Sequence, residues 1–518
     1  MQAAINPANN SHSKIWAHLP FSRTESKRQS IREQALRPSF VTNPFHTKPS
    51  YTLRHVEYCR VSLFNEMKIS KGGGLMMVLI YMWFLPLLFV KELVTAQTPA
   101  PIEGAPQCIA PVANVVLVHG VFGWGPDEVL GLPHIRHGDV LEDSGCFSVH
   151  TVALAILGSN HDRCAQLHAQ LVGGYADHGL EHSTNISVQH DRYGDKNYTA
   201  FIPHFLVPGN MRTYFVAHSL GASTVRQCEI YWRDGSAAEQ AATPTNDLSP
   251  LYKGGHSDVV SGLVSVNGAI DGTLLLDAFG GQFLELLKRV VFIVEGLVGE
   301  ELAEQGVYDL DFDYLGINCS AANVSAAGDC IDQISSLPIY NDSEWGDHAG
   351  VASLEGAREL NLQGDPVSNN TFYVSYVGNA SRPVSTNPTS LFSGAYVPQS
   401  TMSILLWPFS LLIGWYELTE DEFDGWRSND GVISVQGQIC PRLGLGTDDF
   451  CGEFTTVEDL QPGVYLSKHH TLDHIGVIGW TLDSLQFATG AEIFAEIITI
   501  LLAMDEKHAA RLDQARRI

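Results

Sequence analysis

The chain has 518 residues, of which 45% are hydrophobic and 17% charged, so it is long enough to bury a large core. Its formal net charge at pH 7 is −26, and a surface of that sign repels nucleic acids and anionic membranes. Composition and charge therefore favour a globular protein with a neutral partner, exclude a nucleic-acid partner, and give no indication of an obligate protein partner.

The N-terminal part of the chain has the character of a leader. Residues 1–66 have no sustained apolar period and are interpreted as an unstructured or spurious extension. Residues 67–96 combine a basic start, the apolar run 75–90 and small residues at Val94 and Ala96, which is typical of a cleaved signal peptide. If cleavage fails, the apolar run becomes a signal anchor. We expect a secreted protein; an endomembrane or membrane-anchored location is the alternative.

The cysteines and glycosylation sequons agree with secretion. Eight cysteines follow the signal segment, and the close pairs Cys319/Cys330 and Cys440/Cys451 are typical of disulfide-bonded loops. Cys164 and Cys228 are equally compatible with buried thiols. Asn-x-Ser/Thr sequons, typical of a secreted glycoprotein, occur at Asn185, Asn197, Asn318, Asn323, Asn341, Asn369 and Asn379.

Apolar strands alternate with helical stretches after a Pro-rich, flexible lead-in over 97–111. A helix is predicted over 162–175, and the C-terminal 491–518 resembles an amphipathic closing helix. This alternation predicts an α/β fold with a mainly parallel sheet and helices on both faces. Strands are predicted over 114–119, 147–153, 213–217, 259–266 and 371–377.

Two segments carry the chemistry of an acyl-transfer site. The strand 115–118 runs into a glycine-rich loop that begins His119-Gly120, as in loops that supply an oxyanion donor. The strand 213–217 breaks at Ala217-His-Ser-Leu-Gly221 into a helix, and this turn would expose the hydroxyl of Ser219. A serine in an ordinary turn is the alternative interpretation of the second segment.

The partners that a nucleophilic serine needs occur further along the chain. Asp430 lies in Ser428-Asn-Asp-Gly-Val432, and His474 lies in an Asp-His-Ile-Gly sequence. The order Ser219, Asp430, His474 is that of α/β-hydrolases and differs from that of chymotrypsin-like or subtilisin-like proteases. His218, His256, His469 and His470 are regarded as bystanders; His469 or His470 would be the base only if His474 is misaligned.

Two internal segments are unusually apolar. The segment 274–302 has apolar residues at helical spacing and is either a core helix or a lid whose inner face meets lipid. The segment 402–415 is similarly apolar, with Pro408 expected to interrupt it. Neither reaches the length of a transmembrane helix.

The chain resembles the bacterial thermoalkalophilic lipases of the Geobacillus and Staphylococcus type, within the α/β-hydrolase superfamily. The resemblance covers most of 112–480, and the eight cysteines, which lie outside the bacterial pattern, suggest a secreted eukaryotic relative of that family. It implies an α/β-hydrolase domain over 112–518, with a helical lid near 274–305 and zinc-subdomain insertions near 160–195 and 305–350. Its motifs are 119–125, 158–164, 170–174, 217–221, 248–256 and 473–479.

The resemblance also implies roles for particular residues. Ser219 matches the nucleophile, Asp430 the acid and His474 the base of a catalytic triad. The backbone N–H groups of Val121 and Leu220 match the oxyanion donors. Ser is a poor nucleophile until a histidine removes its proton, and an aspartate fixes the imidazole tautomer.

The family's structural zinc site matches four residues, namely Asp162, His182, His190 and Asp313. Two carboxylates and two imidazoles are suitable tetrahedral zinc ligands. The interval between the two histidines is slightly longer than in the family, and it contains the sequon at Asn185. The family's calcium site is not expected, because Gly476 and Thr481 occupy positions where that site has acidic ligands.

The sequence therefore predicts a secreted triacylglycerol lipase that forms an acyl-enzyme through Ser219 and contacts lipid surfaces transiently. A carboxylesterase, phospholipase or acyltransferase with the same triad is one alternative. A non-catalytic binding protein on the same scaffold is the other.

Overall fold

The structure is a computed structural model, and the residues it describes belong to one compact unit within Lys71–Ile518. The predicted leader 1–96, most of the predicted lid 274–305 and the predicted insertion 305–350 lie outside the described residues. Those described are 102, 104–126, 132–156, 158–185, 192–209, 211–278, 353–385, 387, 394–416, 425–443 and 450–517.

Strands and helices alternate along the described ranges. The strands are β1 Ala113–Val118, β2 Phe147–Thr151, β3 Gly174–Asp177, β4 Tyr193–Tyr198, β5 Thr213–His218, β6 Gly262–Val266, β7 Phe372–Gly378, β8 Ser381–Pro383, β9 Tyr396–Pro398, β10 Cys451–Glu453 and β11 Tyr465–His470. The α-helices are α1 Gly138–Asp143, α2 Asn160–Val172, α3 Leu180–Asn185, α4 Leu220–Asp234, α5 Ala237–Ala242, α6 Pro250–Lys253, α7 Leu354–Leu362, α8 Trp407–Trp415 and α9 Ser484–Arg517.

Seven strands form one parallel sheet in the order β10-β11-β7-β6-β5-β1-β2. The strands β3 and β4, and separately β8 and β9, form two small antiparallel pairs. The predicted parallel sheet is thereby confirmed. Because the strands run the same way, their carboxyl ends meet at one edge, where polar residues of distant segments can converge.

Both faces of the sheet are covered, as the apolar strands require. On one face, β1 residues Val115 and Leu117 belong to a core cluster shared with α1 and the long helix α9. On the other face, Val116 and Val118 belong to a cluster shared with α2 and α4. The alternation of neighbouring residues between the two clusters is the period of two expected of a strand.

The C-terminal helix α9 begins at Ser484, earlier than the predicted start at 491. By length and composition it could cross a membrane, but 61% of its apolar stretch is buried. Phe494, Ile498 and Leu501 are fully buried in the core against the sheet. The apolar character of α9 is therefore explained by core packing.

The predicted interruption at Pro408 is wrong. A short 3-10 helix over Ile404–Leu406 leads directly into α8, and Pro408 occupies the first turn of that helix. Proline is tolerated there because the first N–H groups of a helix have no intrahelical acceptor. The segment 404–415 is therefore one continuous apolar element.

Three disulfide bonds join described cysteines. Cys440 pairs with Cys451 as predicted, and Cys108 pairs with Cys146. Cys164 and Cys228, for which the sequence left buried thiols open, are bonded and link α2 to α4. Cys319 and Cys330 lie outside the described residues.

Helix α4 closely approaches the end of β1 at Gly221. A Cβ added there would lie 2.5 Å from the carbonyl oxygen of Val118 and 2.8 Å from that of His119. Neither backbone atom can move without disturbing the strand, so we expect Gly221→Ala to lower the free energy of unfolding by about 1–3 kcal/mol. Urea denaturation measures this.

The control is Gly452→Ala on β10, where the added methyl meets only the end of the Leu466 side chain at 3.3 Å. We expect a clearly smaller loss there. Equal losses for the two variants would contradict the close approach of α4 to β1.

Candidate active site

Ser219 stands at the carboxyl end of β5, where the chain turns sharply into α4. Its φ of 57° and ψ of −130° place a non-glycine residue in a strained region. Among described non-glycine residues only Phe122, Ser219 and Asn267 have positive φ. All three follow carboxyl ends of neighbouring strands, and strain of this kind concentrates at functional sites at a cost of about 1–3 kcal/mol per residue.

The side chain of His474 joins Ser219 to Asp430. Its Nε2 lies 3.0 Å from the Ser219 hydroxyl oxygen, and its Nδ1 lies 2.9 Å from Oδ2 of Asp430. The three residues are buried, and Asp430 is completely inaccessible. The structure thus brings together the three residues that the sequence singled out, over a separation of 255 positions.

The buried carboxylate of Asp430 is held by further donors. The N–H groups of Val432 and Ile433 donate to Oδ1 at 2.9 and 2.7 Å. The amide of Asn267 donates to Oδ2 at 2.9 Å. A buried carboxylate requires such partners, because an unpaired one would pay a large desolvation cost. Asp430 therefore presents a fixed acceptor to Nδ1–H of His474.

Asn267 is oriented in turn by His470. The N–H of Leu472 donates to Nδ1 of His470, so the ring proton lies on Nε2 and is donated to Oδ1 of Asn267 at 2.9 Å. Burial lowers the pKa of His470 to about 4 and keeps the ring neutral. This contact fixes which end of the amide faces Asp430. His470, considered as an alternative base, therefore lies on the Asp430 side of the site, where it orients Asn267.

His218 directly precedes Ser219 in the chain and contacts His474. Its Nε2 donates to the carbonyl oxygen of His474 at 2.8 Å, and the two rings are 4.6 Å apart. Burial, followed by the neighbouring His474, lowers the pKa of His218 well below its usual range. A neutral His218 can therefore hold the backbone of His474 in place.

The glycine-rich loop after β1 packs directly on the serine. A Cβ at Gly120 would lie 2.5 Å from Cβ of Ser219 and 2.9 Å from its hydroxyl oxygen. Only a bare backbone fits there. Within the described ranges, neither the N–H of Val121 nor that of Leu220 donates to a protein acceptor. Leu220 directly follows Ser219 in the chain, and Val121 directly follows Gly120, which packs on Ser219.

Arg163 on α2 donates hydrogen bonds to the loop after β1 that packs on Ser219. The side chain is inaccessible to solvent, and its guanidinium donates to the carbonyl oxygen of His119, to Ala155 O at 2.6 Å and to Thr224 Oγ1 at 3.0 Å. These acceptors belong to the loops after β1 and β2 and to helix α4. Arg163 therefore fixes the loop of Gly120 and Val121 relative to the helix that begins after Ser219.

We expect Arg163→Lys to lower kcat/KM for a soluble ester by more than about tenfold. Lysine keeps the charge but cannot donate in a fork to three acceptors, so the loop of Gly120 and Val121 would lose its fixed position beside Ser219. The measurement is ester hydrolysis together with the rate of covalent labelling by a fluorophosphonate, both well below the melting temperature.

The matched variant is Arg212→Lys, which removes a guanidinium fork to Asp505 at the opposite end of the sheet. It should lower stability and leave the labelling rate within about twofold. Equal loss of labelling in both variants would show that Arg163 acts only through general stability.

Two of the four residues matched to a zinc site are described, and they lie together. Oδ1 of Asp162 is 3.2 Å from Nε2 of His182 and 2.8 Å from Nδ1 of His178. The ring of His161 stacks on that of His182 with centroids 3.9 Å apart. His190 and Asp313 lie outside the described residues, and within the described ranges no three candidate ligands are grouped so as to hold a metal ion.

Asn267 and Arg163, which orient the Ser219 site, and His178, which contacts Asp162, were not among the predicted site residues, and His218 and His470 were regarded as bystanders. One signal was available for Asn267. It directly follows β6, which pairs with β5, and polar residues at the carboxyl ends of adjacent parallel strands converge. The contacts of Arg163 depend on packing across three elements and leave no local pattern.

Comparisons with known proteins agree with this architecture. A family model described as "Lipase-like, C-terminal domain" matches residues 112–510. Lipase 2 from Staphylococcus aureus is 28% identical over 405 residues, covering 76% of this chain and 54% of the relative. The chain thus spans about half the length of that relative.

Two solved structures are similar to the chain. Staphylococcus hyicus lipase has a TM-score of 0.62 and 23% identity, covering 79% of this chain and 98% of the other. Lipase 1 from Pelosinus fermentans has a TM-score of 0.54 and 28% identity, covering 74% and 99% respectively. These matches, with the seven-stranded parallel sheet, show the α/β-hydrolase-like fold that the sequence predicted.

Proposed function

Since the chain belongs to the lipase-like C-terminal domain family, of the Staphylococcus lipase type, we propose that it is a serine hydrolase that cleaves carboxylic esters, with neutral acylglycerols as substrates. The observation that carries the proposal is the chain of contacts from the Ser219 hydroxyl through His474 to Asp430. An ordinary turn serine needs neither a histidine at 3.0 Å nor a strained backbone.

In the proposed reaction, Nε2 of His474 takes the hydroxyl proton as Ser219 attacks the ester carbonyl carbon. The negative charge that develops on the carbonyl oxygen is stabilised by the N–H groups of Val121 and Leu220, each worth about 3–4 kcal/mol. His474 then protonates the departing alcohol, which leaves an acyl-serine. A water molecule, deprotonated by His474, attacks the acyl carbon and releases the acid while Ser219 regains its proton.

The first test is covalent labelling of the folded full-length chain by a fluorophosphonate. We expect one equivalent to attach at Ser219, because the activated hydroxyl attacks phosphorus and displaces fluoride. A folded chain that remains unlabelled would support the binding-protein alternative instead.

Substrate class is tested by comparing emulsified triolein with a dissolved short-chain ester and with phosphatidylcholine. A triacylglycerol lipase should turn over the emulsion, whereas a carboxylesterase should act only on the dissolved ester. Release of fatty acid from phosphatidylcholine alone would favour a phospholipase. Transfer of the acyl group to an added alcohol in preference to water would favour an acyltransferase.

Zinc and secretion are part of the proposal. Asp162 and His182 converge as two ligands of one ion would, and His190 and Asp313 would complete the set. Zinc there would supply structural cross-linking and no catalytic chemistry. The even number of cysteines after the signal segment and the disulfide bonds support secretion.

A further inference from the structure

The helix α8 and the short 3-10 helix before it expose an unusual apolar surface. Ile404, Trp407, Leu411, Leu412 and Trp415 are between 38% and 75% exposed. Trp407, Leu411 and Trp415 are spaced four apart, so they lie above one another on one side of the helix. Phe409 and Ile413 are buried beneath them. We call the five exposed residues the α8 face.

The α8 face has a fixed position beside the candidate active site. The N–H of Ser403 donates to Asp473 at 2.7 Å, next to His474 in the chain. On the other side, a Cβ at Gly431, next to Asp430, would lie 2.9 Å from Leu406. The amide of Asn429 donates to the carbonyl of Ser410 at 3.3 Å. The face is therefore attached to both loops that carry the partners of Ser219.

A second exposed apolar pair adjoins this segment. Leu482 and Leu485, just before and at the start of α9, are 73% and 74% exposed. The neighbouring Gln486 donates to the carbonyl of Thr401, two residues before Ser403. Apolar exposure therefore extends around the loop of His474.

The chemistry of this surface identifies the partner. Residues 402–416 contain no charged side chain, in a chain of net charge −26. Such a surface has no cation to bind an anionic lipid headgroup, and the negative charge of the rest of the chain repels anionic headgroups. Tryptophan favours the boundary between hydrocarbon and water, and exposed apolar side chains on one helical face are the usual means of interfacial binding.

We propose that the α8 face docks the protein onto a neutral lipid surface and thereby brings the Ser219 site to that surface. The proposal rests on the proposed lipase function and deepens it, because a dissolved ester would need no such surface. Burial of these side chains in lipid would supply the affinity.

Binding is tested on the full chain carrying Ser219→Ala, so that the lipid is not consumed. The probe is triolein droplets coated with phosphatidylcholine, and flotation gives the partition coefficient. Adding Trp407→Gln, Leu411→Gln and Trp415→Gln should lower partitioning at least about tenfold. The matched control replaces Val207, Leu362 and Leu512, exposed apolar residues elsewhere, with Gln and should change it less than about twofold.

A second variant keeps the face apolar. Trp407→Phe with Trp415→Phe should retain binding, while the quenching of protein fluorescence by brominated phosphatidylcholine should fall. The retained binding shows that this variant is folded. Unchanged quenching would overturn the proposal, because it would place these tryptophans away from the lipid.

Three further results would overturn it. One is unchanged partitioning of the Gln variant, and another is an equal loss in the control. The third is a dimer that the Gln variant dissociates without loss of droplet binding, which would assign the face to a second copy. The Ser219→Ala background makes binding independent of turnover. A chain that binds droplets but hydrolyses no ester would therefore refute the proposed function alone.

Discussion

Replacement of Ser219 by alanine is expected to lower kcat for ester hydrolysis by about 10⁶-fold. Alanine removes the hydroxyl oxygen that lies 3.0 Å from Nε2 of His474 and that forms the acyl-enzyme in the proposed reaction. The remaining groups could still bind the ester and stabilise an oxyanion, so a small rate above that of water would persist. The measurement is the initial rate on emulsified triolein and on a dissolved ester.

The control for this prediction is Ser223→Ala. Ser223 is a buried serine one turn further along α4, and its hydroxyl donates to the carbonyl of Ala269 at 2.6 Å. Its loss should cost about 1 kcal/mol of stability and leave the rate within about tenfold. Activity retained by Ser219→Ala would overturn the assignment of the nucleophile, whatever the control does.

Replacement of Asp430 by asparagine is expected to lower kcat by about 10⁴-fold with little change in shape. An asparagine amide turned toward His474 would donate where Asp430 accepts, so the ring could be held in the wrong tautomer. The buried N–H groups of Val432 and Ile433 would still find an acceptor in the amide oxygen. Loss of the negative charge would also leave the imidazolium formed during attack uncompensated.

Asp473→Asn is the matched control, because Asp473 is also buried and adjoins His474 in the chain. Its carboxylate accepts from the N–H groups of Ser403 and Gly476 and, within the described ranges, makes no hydrogen bond to the His474 ring. We expect lower stability and a kcat within about tenfold of the parent. If Asp473→Asn loses as much activity as Asp430→Asn, the acid has been misassigned.

Much of the fold could be predicted because its signals are local. Unbroken apolar runs such as Val115–Val118 predicted buried parallel strands, and four of the five predicted strands overlap observed ones closely. The strand predicted over 259–266 begins later, at Gly262. The strands β10 and β11 were not predicted, because the three residues of β10 carry too little periodicity and the polar end Ser467-Lys-His-His470 of β11 interrupts its apolar pattern. Pro408 was misinterpreted because its effect depends on its position within a helix.

The candidate triad was also accessible from the sequence. Each of its residues lies in a short motif whose turn chemistry is local, and their chain order selects one fold. The residues that orient the candidate triad have no local signal for that role, although Arg163 lies in the motif 158–164 of the family resemblance. Asn267, His470 and Arg163 make contacts with segments up to 203 positions away, including one of 44 positions from Arg163 to His119.

The sequence by itself determined the α/β class and the strand–turn–helix at Ser219, because periodicity and turn residues are properties of neighbouring positions, and its motifs nominated Asp430 and His474 as candidate partners. Only the tertiary structure decided that Asn267 and His470 lie in a chain of contacts with Asp430, that Arg163 donates to the loop after β1, and that the apolar segment 404–415 faces solvent beside the candidate site. The physical reason is that hydrogen bonding and exposure depend on which segments the parallel sheet brings to its carboxyl edge.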